Sequence, residues 1–329
     1  MSDDDSQGTL FELPPLDLEP GKMRPEYQAI AAGLSSGVAL GGMTWSFPGW
    51  IGIVYAEGVP EKLLGPRGLT AYTKHPLLRV VEIDRSFYEP LPADTFRSFA
   101  EQVPDDFRFF AKAHEECMIY RFPQHPRYGK KRGASNPRFL DASYAAESVV
   151  APLVEGLGAK LGGLLFQFPP QDVGDPGGFA VQLHDFLQRL PKGVPYAVEL
   201  RNTELLTREY GAALEDVGAV HCYNVWTSMP PVLEQVRLLP PSTRRPLVVR
   251  WLLRQGDKYE EAAARYAPFN RLVSEDIRNR SEIARLVANA QVHGIPAFVL
   301  VDNKAEGCAP ESIPLLGRAI LKELERLRA

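Results

Sequence analysis

Charged side chains recur at the ends of short apolar runs along this chain. In residues 196–201, Ala197, Glu199 and Arg201 share one face, because successive side chains of a strand point to opposite sides. A carboxylate such as Glu199 can transfer a proton, and a guanidinium such as Arg201 can bind a phosphate or carboxylate through two parallel hydrogen bonds. This pattern predicts acid–base chemistry on a negatively charged substrate.

Two earlier runs present comparable groups. Glu82 and Asp84 share a face in one of them, and Lys112 and His114 share a face in the next. Lysine is a compact point charge for an anion, and histidine changes its charge near neutral pH. We therefore predict four catalytic residues, which are Glu82, Lys112, His114 and Glu199.

Other polar and aromatic residues at the run ends could hold a substrate. Several of these residues could instead have a structural role. Glu82 and Arg250 would then form a buried ion pair, and Gln167 would satisfy backbone groups. Trp45 or Tyr88 would pack a loop against its neighbours. The predicted substrate-binding residues are Trp45, Tyr88, Gln167, Arg201, Asn224, Arg250 and Asn303.

Three carboxylates at run ends form a candidate cation site. Asp84, Glu199 and Asp302 would supply oxygen ligands only, which favours Mg²⁺ or Mn²⁺; we predict no other cofactor. A histidine-rich zinc site is not supported, since only His114 falls at an inward run end. His221 has the opposite parity to Asn224 and is expected to pack in the core. The remaining histidines that we expect at the surface are His75, His125, His184 and His293.

The elements that must position these residues alternate along the chain. Apolar runs that suit strands cover residues 38–44, 80–86, 107–114, 163–168, 196–201, 219–224, 247–251 and 297–303. Patterns with three- and four-residue spacing predict helices at residues 93–103, 143–157, 179–190, 204–217, 281–293 and 313–327, with Thr203 and Ser281 as candidate N-caps. Eight strands that alternate with helices predict a single α/β domain, a (β/α)8 TIM-like barrel, with its active site at the carboxyl ends of the strands. A doubly wound open sheet is the alternative.

The domain organisation follows from a change of pattern near residue 36. Residues 1–35 are acidic at first and rich in turn-forming residues, so we predict a flexible or partly helical extension, with a short helix at residues 26–34. Residues 36–329 are expected to form the barrel.

Composition bounds the compartment and the partners. The N-terminus is acidic, no stretch approaches the ~20 apolar residues of a membrane span, and the three cysteines lack metal-site or disulfide spacing. We therefore expect a cytoplasmic protein without a membrane partner. The net charge of −4 argues against a bulk attraction to nucleic acid.

One basic segment keeps a nucleic-acid partner open. It runs from Arg121 to Arg138 and interleaves cations with Tyr120, Phe122 and Tyr128, a composition compatible with backbone contacts and base stacking. We favour an enzyme that acts on a small anionic, phosphorylated or sugar-like substrate. A nucleic-acid-binding or nucleic-acid-processing protein is the alternative, and a purely structural role would leave the inward charges unexplained.

The motifs at the run ends also resemble those of a known family. The segments are residues 41–50, 81–88, 110–113, 165–170 and 197–201, followed by Asp302-Asn303 with Gly307 and Ala309. In this order they resemble domain of unknown function family 72, the YecE-like proteins, over residues 38–321. The resemblance implies a TIM-like barrel whose activity is unassigned, and an analogy with AP-endonuclease barrels underlies the nucleic-acid alternative.

The chain departs from that family at several positions. Asp84 and Asp302 stand where relatives usually carry Asn, and Thr44 stands where Gly is usual. Trp251-Leu252 replaces a His-Gly pair, and a Thr-His pair is missing at residues 117–119. The chain thus resembles a divergent member of the family, in which the carboxyl ends of the barrel strands carry more acidic residues than in its relatives.

Overall fold

The strands of this protein close into a barrel. A computed structural model describes residues 17–329. Within that range eight parallel strands pair in sequence order, and the last pairs with the first. This confirms the predicted (β/α)8 barrel and excludes the doubly wound alternative. The strands are β1 (Val38–Gly42), β2 (Leu78–Ile83), β3 (Arg108–Lys112), β4 (Leu161–Gln167), β5 (Tyr196–Glu199), β6 (Val220–Val225), β7 (Leu247–Trp251) and β8 (Ala297–Val301).

Helices surround the barrel. All six segments predicted from three- and four-residue spacing are helical, with ends displaced by a few residues, although the one at residues 143–157 is divided into two helices by a π-helical segment. A further helix lies where the short N-terminal helix was expected. The helices are α1 (Pro25–Gly33), α2 (Glu61–Tyr72), α3 (Arg85–Tyr88), α4 (Ala93–Ala100), α5 (Ala142–Ala145), α6 (Ala151–Leu157), α7 (Pro176–Arg189), α8 (Arg208–Val217), α9 (Val232–Leu238), α10 (Tyr259–Tyr266), α11 (Ile277–Val292) and α12 (Ala309–Arg328). A π-helical segment, Ala146–Val150, joins α5 to α6.

Both predicted N-caps are wrong. Helix α8 begins later than expected, and Thr207 rather than Thr203 accepts the hydrogen bond from the backbone N–H of Tyr210. Helix α11 begins earlier, so Asp276 caps it and Ser281 lies inside its first turns. Apolar Leu205, in a 3-10 turn before α8, moved the predicted start of α8 forward, whereas the largely polar first turn of α11, Ile277–Arg280, delayed the predicted start of α11.

One apolar layer fills the middle of the barrel. Each strand contributes one buried side chain to a contiguous cluster that is separate from the larger core between strands and helices. The members from the strands are Ala39, Val80, Phe110, Leu165, Ala197, Cys222, Val248 and Leu300, and the cluster continues beyond the strands into Met43, Leu252, Leu253, Ala262 and Tyr266.

A polar layer follows toward the carboxyl ends of the strands. Two residues beyond each apolar member, strand alternation gives the next inward position. Apart from Gly41, these positions hold polar residues, namely Glu82, Lys112, Gln167, Glu199, Asn224, Arg250 and Asp302. The alternation ends with β2 at Ile83, however, since α3 begins at Arg85, so the prediction that Asp84 shares a strand face with Glu82 is wrong.

The N-terminal helix packs on the C-terminal one. Arg24 forms an ion pair with Glu311 at 2.8 Å, and Gly33 lies so close to Leu321 that a Cβ atom there would be 2.7 Å from a Leu321 methyl carbon. His75 is buried against the Tyr27 ring, which corrects the predicted surface position. The part of the expected extension at residues 1–16 lies outside the described residues. No helix within residues 17–329 has the length and apolar character needed to cross a membrane.

Candidate active site

The guanidinium of Arg250 organises the floor of the barrel mouth. Its Nη2 donates to Glu82 Oε1 at 2.9 Å, and its Nη1 donates to Glu199 Oε2 and, at 3.3 Å, to Gln167 Oε1. All four side chains are buried. Charges at such depth are tolerated only when they are paired and hydrogen-bonded, so this network compensates them.

Glu82 and Glu199 titrate differently although they share Arg250. Burial raises the pKa of Glu82 to about 6, and the charges of Arg250 and Lys112 oppose that effect only in part. Burial also acts to raise the pKa of Glu199, but the charges and hydrogen bonds of Arg250 and Arg201 outweigh it and hold the pKa below its usual value. Glu82 Oε2 accepts no hydrogen bond within the described chain. Glu82 can therefore exchange a proton near neutral pH, while Glu199 stays ionised.

Lys112 sits between a carboxylate and an aromatic ring. Its Nζ donates to Asp84 Oδ1 at 2.8 Å and lies 3.9 Å from the centre of the Phe87 ring. The ring face attracts the ammonium through its quadrupole, and the buried stem of Lys112 restricts its movement. The ammonium is thereby fixed at the edge of the mouth.

Two further cations repeat this arrangement. Arg201 donates from Nε to Glu199 Oε1 at 2.9 Å and stacks 3.8 Å from the centre of the Trp226 ring. Its two terminal nitrogens donate to no acceptor among residues 17–329. Lys304 lies 3.1 Å from Asp302 Oδ1 and 4.5 Å from the centre of the Tyr259 ring. We call these three arrangements the cation triads; they are Lys112–Asp84–Phe87, Arg201–Glu199–Trp226 and Lys304–Asp302–Tyr259.

The cation triads surround a cavity of about 390 Å³ at the carboxyl ends of the strands. This volume falls within the range of small-molecule sites. Of the residues predicted from the sequence, the wall contains Glu82, Asp84, Tyr88, Lys112, Gln167, Arg201, Arg250, Asp302 and Asn303. Residues in the wall that were not predicted include Phe47, Trp50, Phe87, Trp226, Tyr259 and Lys304.

The sequence gives only a weak indication of the aromatic residues that were not predicted. Trp226 directly follows β6, so the rule that strand ends carry the site would have found it. Tyr259 begins α10, eight residues after β7 ends, and only the folded loop brings it to Lys304. Trp50 donates from Nε1 to Asn303 Oδ1 at 3.1 Å, and that oxygen also accepts from the backbone N–H of Ala309. Asn303 thus braces the wall with its oxygen.

Four predicted site residues do not line this cavity. Glu199 is fully buried and has one oxygen on each of two arginines, so it holds Arg201 and Arg250 in place. Asn224 is fully buried, and its side chain donates to the Leu200 carbonyl. Trp45 donates to the Gly65 carbonyl and lines a neighbouring cleft of about 1130 Å³. His114 shares a 2.7 Å hydrogen bond with the Tyr144 hydroxyl, and burial lowers its pKa.

The predicted metal-ligand set is not assembled. Residues 17–329 contain no group of three or more His, Cys, Asp or Glu side chains placed to hold a metal ion. Asp84, Glu199 and Asp302 are each paired with a cation of a different triad, which occupies Oδ1 of each aspartate, while Arg201 and Arg250 occupy both oxygens of Glu199. The residues present therefore do not fit the proposed Mg²⁺ or Mn²⁺ site.

Half of the six arginines and lysines in the basic loop at residues 121–138 pair with two carboxylates that precede the loop. Arg127 pairs with Glu115, while Lys131 and Arg138 pair with the two oxygens of Glu116. Phe122, expected as a stacking residue, is buried. A nucleic-acid partner for this loop stays a prediction, with fewer free cations than the sequence indicates.

Comparisons with known proteins agree with this architecture. The family described as "Protein of unknown function DUF72" matches residues 39–327. A DUF72 family protein from Enterococcus faecalis (EF0366) superposes with a TM-score of 0.57 at 16% identity, over 88% of this chain and 95% of that one. A DUF72 family protein from Thermotoga maritima (TM1631) gives 0.55 at 17% identity, over 89% of this chain and 99% of that one. At such identities the likeness shows the fold alone. A search of curated proteins finds no match.

Proposed function

The chain belongs to the DUF72 family, whose function is unknown, and from that premise we propose that it is an enzyme acting on a small anionic, phosphorylated or sugar-like substrate in the barrel mouth. The reaction class that the mouth supports is general acid–base catalysis by a carboxyl group, as in a hydrolase or a lyase. The observation that carries the proposal is Glu82, a buried carboxyl group that reaches the cavity wall among three fixed cations.

Glu82 is the proposed proton donor and acceptor. General acid–base catalysis is most efficient when the catalytic pKa lies near the working pH, and burial brings the pKa of Glu82 to about 6. Its Oε1 is held by Arg250, and its Oε2 accepts no hydrogen bond within the described chain but is shielded from solvent, so a substrate atom reaches Oε2 only when neighbouring side chains of the cavity wall move. Arg250 and Gln167 act as positioning residues, since they orient the carboxyl groups.

Arg201, Lys112 and Lys304 are the proposed anion ligands. Arg201 is stacked on Trp226 and anchored through Nε, so both terminal nitrogens are free to bind two oxygens of one phosphate or carboxylate. Lys112 and Lys304 supply point charges on other sides of the cavity. The exposed ring of Tyr88, with Trp226 and Tyr259, offers apolar surface to the carbon skeleton.

The charge balance couples binding to a proton. Glu82, Asp84, Glu199 and Asp302 face the cations Arg250, Lys112, Arg201 and Lys304, so the mouth is neutral when all groups are ionised. Protonation of Glu82 leaves one net positive charge. A bound anion is then neutralised by the mouth, and the same proton is available for transfer to the substrate.

A binding and turnover series tests the proposal. Inorganic phosphate and a panel of sugar phosphates would be titrated into the protein by calorimetry, and the panel would be followed by ³¹P NMR for product formation. We expect at least one sugar phosphate to bind more tightly than phosphate and to be converted. The Glu82→Gln variant should bind that compound and lose turnover by at least 100-fold. Enzymes typically have KM values up to about 1 mM, near physiological substrate concentrations. If the wild-type protein binds no compound of the panel at about 10 mM, tenfold above that limit, the proposal is refuted.

A further inference from the structure

A second cavity lies at the opposite, N-terminal end of the barrel. It has a volume of about 260 Å³ and is bounded by the segments that lead into β5, β6 and β7. Its inner wall is made by Phe110, Ala197 and Val248, which belong to the apolar layer of the barrel. The cavity therefore enters the barrel from below and ends on the layer that supports the mouth.

Small residues create this space. The inward positions of β4 and β5 at this end are Gly163 and Ala197, which leave the lower half of the barrel thinly filled on that side. The Phe110 ring lies across β4, and a Cβ atom on Gly163 would be 2.5 Å from it. The ring thus covers the glycine but leaves the space beneath Val220 and Val248 open.

The charges at the rim all have one sign. Lys192 and Arg245 are the charged residues among those that line the cavity within the described chain, and none of the lining residues is acidic. The contrast with the mouth is clear, because every cation of the mouth has a carboxylate partner. Lys192 donates to the Gln188 carbonyl, which leaves Arg245 as the cation to consider.

Arg245 is exposed at the rim, and its side chain has no acceptor within the described chain. Its guanidinium lies over Gly218, where a Cβ atom would be 2.7 Å from Nη1 and Nη2, and the positive φ of Gly218 ends α8 at this point. Among residues 17–329 no carboxylate or carbonyl oxygen accepts a hydrogen bond from it. An arginine whose fork is free beside an apolar cavity is complementary to a carboxylate attached to an apolar body.

We propose that this cavity is a binding site for a small apolar carboxylate, whose body enters the barrel beneath Ala197 and Val248 and whose charged group binds Arg245. The volume fits this class of ligand, since an apolar cavity of about 150 Å³ holds benzene. A cavity of about 260 Å³ has room for a phenyl ring with a short acid side chain. The site is separated from Glu82 by the apolar layer, so it does not depend on the function proposed for the mouth.

Methyl NMR with phenylacetate tests the site. We expect saturable shifts of the Ala197 and Val248 methyl groups, with a dissociation constant on the order of 1 mM or tighter for a ligand of this size. The Val301 methyl groups, which line the mouth and lie outside the cluster that contains Ala197 and Val248, should not move. Phenylacetamide has the same shape without the charge and should bind at least fivefold more weakly.

Two arginine variants separate this site from general charge effects. Arg245→Gln should weaken phenylacetate at least fivefold and leave phenylacetamide unchanged, whereas Arg244→Gln, an exposed neighbour outside the cavity wall, should change neither. Val194→Trp at the half-buried rim should block both compounds. Absence of Ala197 and Val248 shifts, shifts confined to Val301, or equal behaviour of the two arginine variants would overturn the proposal.

Discussion

Glu82 and Glu199 bind the two terminal nitrogens of the same guanidinium, yet their pKa values move in opposite directions. The difference arises because Glu199 has a second arginine and Glu82 has one unpaired oxygen. In enzymes, environments that push the pKa values of two carboxyl groups apart give one group that acts as an acid and one that stays ionised. In the mouth, Glu82 is therefore the carboxyl group that titrates, and Glu199 is the ionised carboxylate that fixes Arg201 and Arg250.

Anion binding should depend on the protonation of Glu82. Its pKa of about 6 means that the proton is bound below that pH and must be taken up above it. Phosphate monoesters themselves lose a proton near pH 6, so Glu82→Gln, which retains only that ligand effect, supplies the baseline. The dissociation constant of a sugar phosphate for the wild-type protein should match this baseline near pH 5 and rise above it by up to tenfold per pH unit above about 6. Calorimetry between pH 5 and 8 measures both, with the exposed Glu147→Gln as control; a parallel slope in all three proteins would contradict the coupling.

Arg201 should dominate anion affinity. Loss of its two free donors in Arg201→Gln is expected to raise the dissociation constant for phosphate compounds about tenfold, since a charge-assisted pair is lost. Trp226→Leu should raise it about threefold through loss of the stacked ring, whose cation–π contribution is about 0.5–1 kcal/mol. The exposed Arg285→Gln serves as control for overall charge. An Arg201→Gln protein that binds like this control would remove Arg201 from the site.

Arg250 should matter for stability more than any other residue of the floor. Arg250→Met removes the partner of two buried carboxylates, and such uncompensated charges typically cost about 3–5 kcal/mol. Urea denaturation should therefore show a large loss in the free energy of unfolding. The triple variant with Glu82→Gln and Glu199→Gln should recover part of it, because the stranded charges are gone. A loss below about 1 kcal/mol would mean that the network is not under electrostatic constraint.

The two aspartates of the cation triads should weaken anion binding. Asp84→Asn and Asp302→Asn remove a negative charge beside Lys112 and Lys304 while the side-chain shape stays nearly the same. We expect each variant to bind phosphate about threefold to tenfold more tightly, an effect that salt reduces. Asp106→Asn, at an exposed ion pair with Arg79, provides the matched control. Unchanged affinity in both variants would show that these lysines do not contact the anion.

Strand alternation accounts for what the sequence reveals about the site. The period of two is local, so it predicts Glu82, Lys112, Gln167, Arg250 and Asp302 at inward positions, and these five line the mouth. Parity does not say how deep a side chain lies or which partner it meets. Asn224 has the parity of the inward residues, but its side chain donates to the Leu200 carbonyl instead of lining the mouth. Asp84 pairs with Lys112 and does not join Glu199 and Asp302 in a cation site.

Contacts between distant loops account for most of what the sequence hides. Lys304 meets Tyr259 across 45 residues of chain, and no periodicity relates the two. The cation triads are therefore visible only after the barrel has closed. His75 illustrates the same limit in the core, because its burial depends on Tyr27 from the N-terminal helix.

The apolar layer of the barrel, which includes Val80 and Leu300, also separates the N-terminal face from the mouth. Water and ions have no polar groups to follow from the N-terminal face to Glu82, so its proton must enter from the cavity side. Glu82 lines both the cavity of the mouth and the neighbouring cleft of about 1130 Å³, so two routes lead to it from that side. A ligand seated in the mouth would leave the cleft route open, and the proton count of the bound complex would continue to follow the pH of the solution.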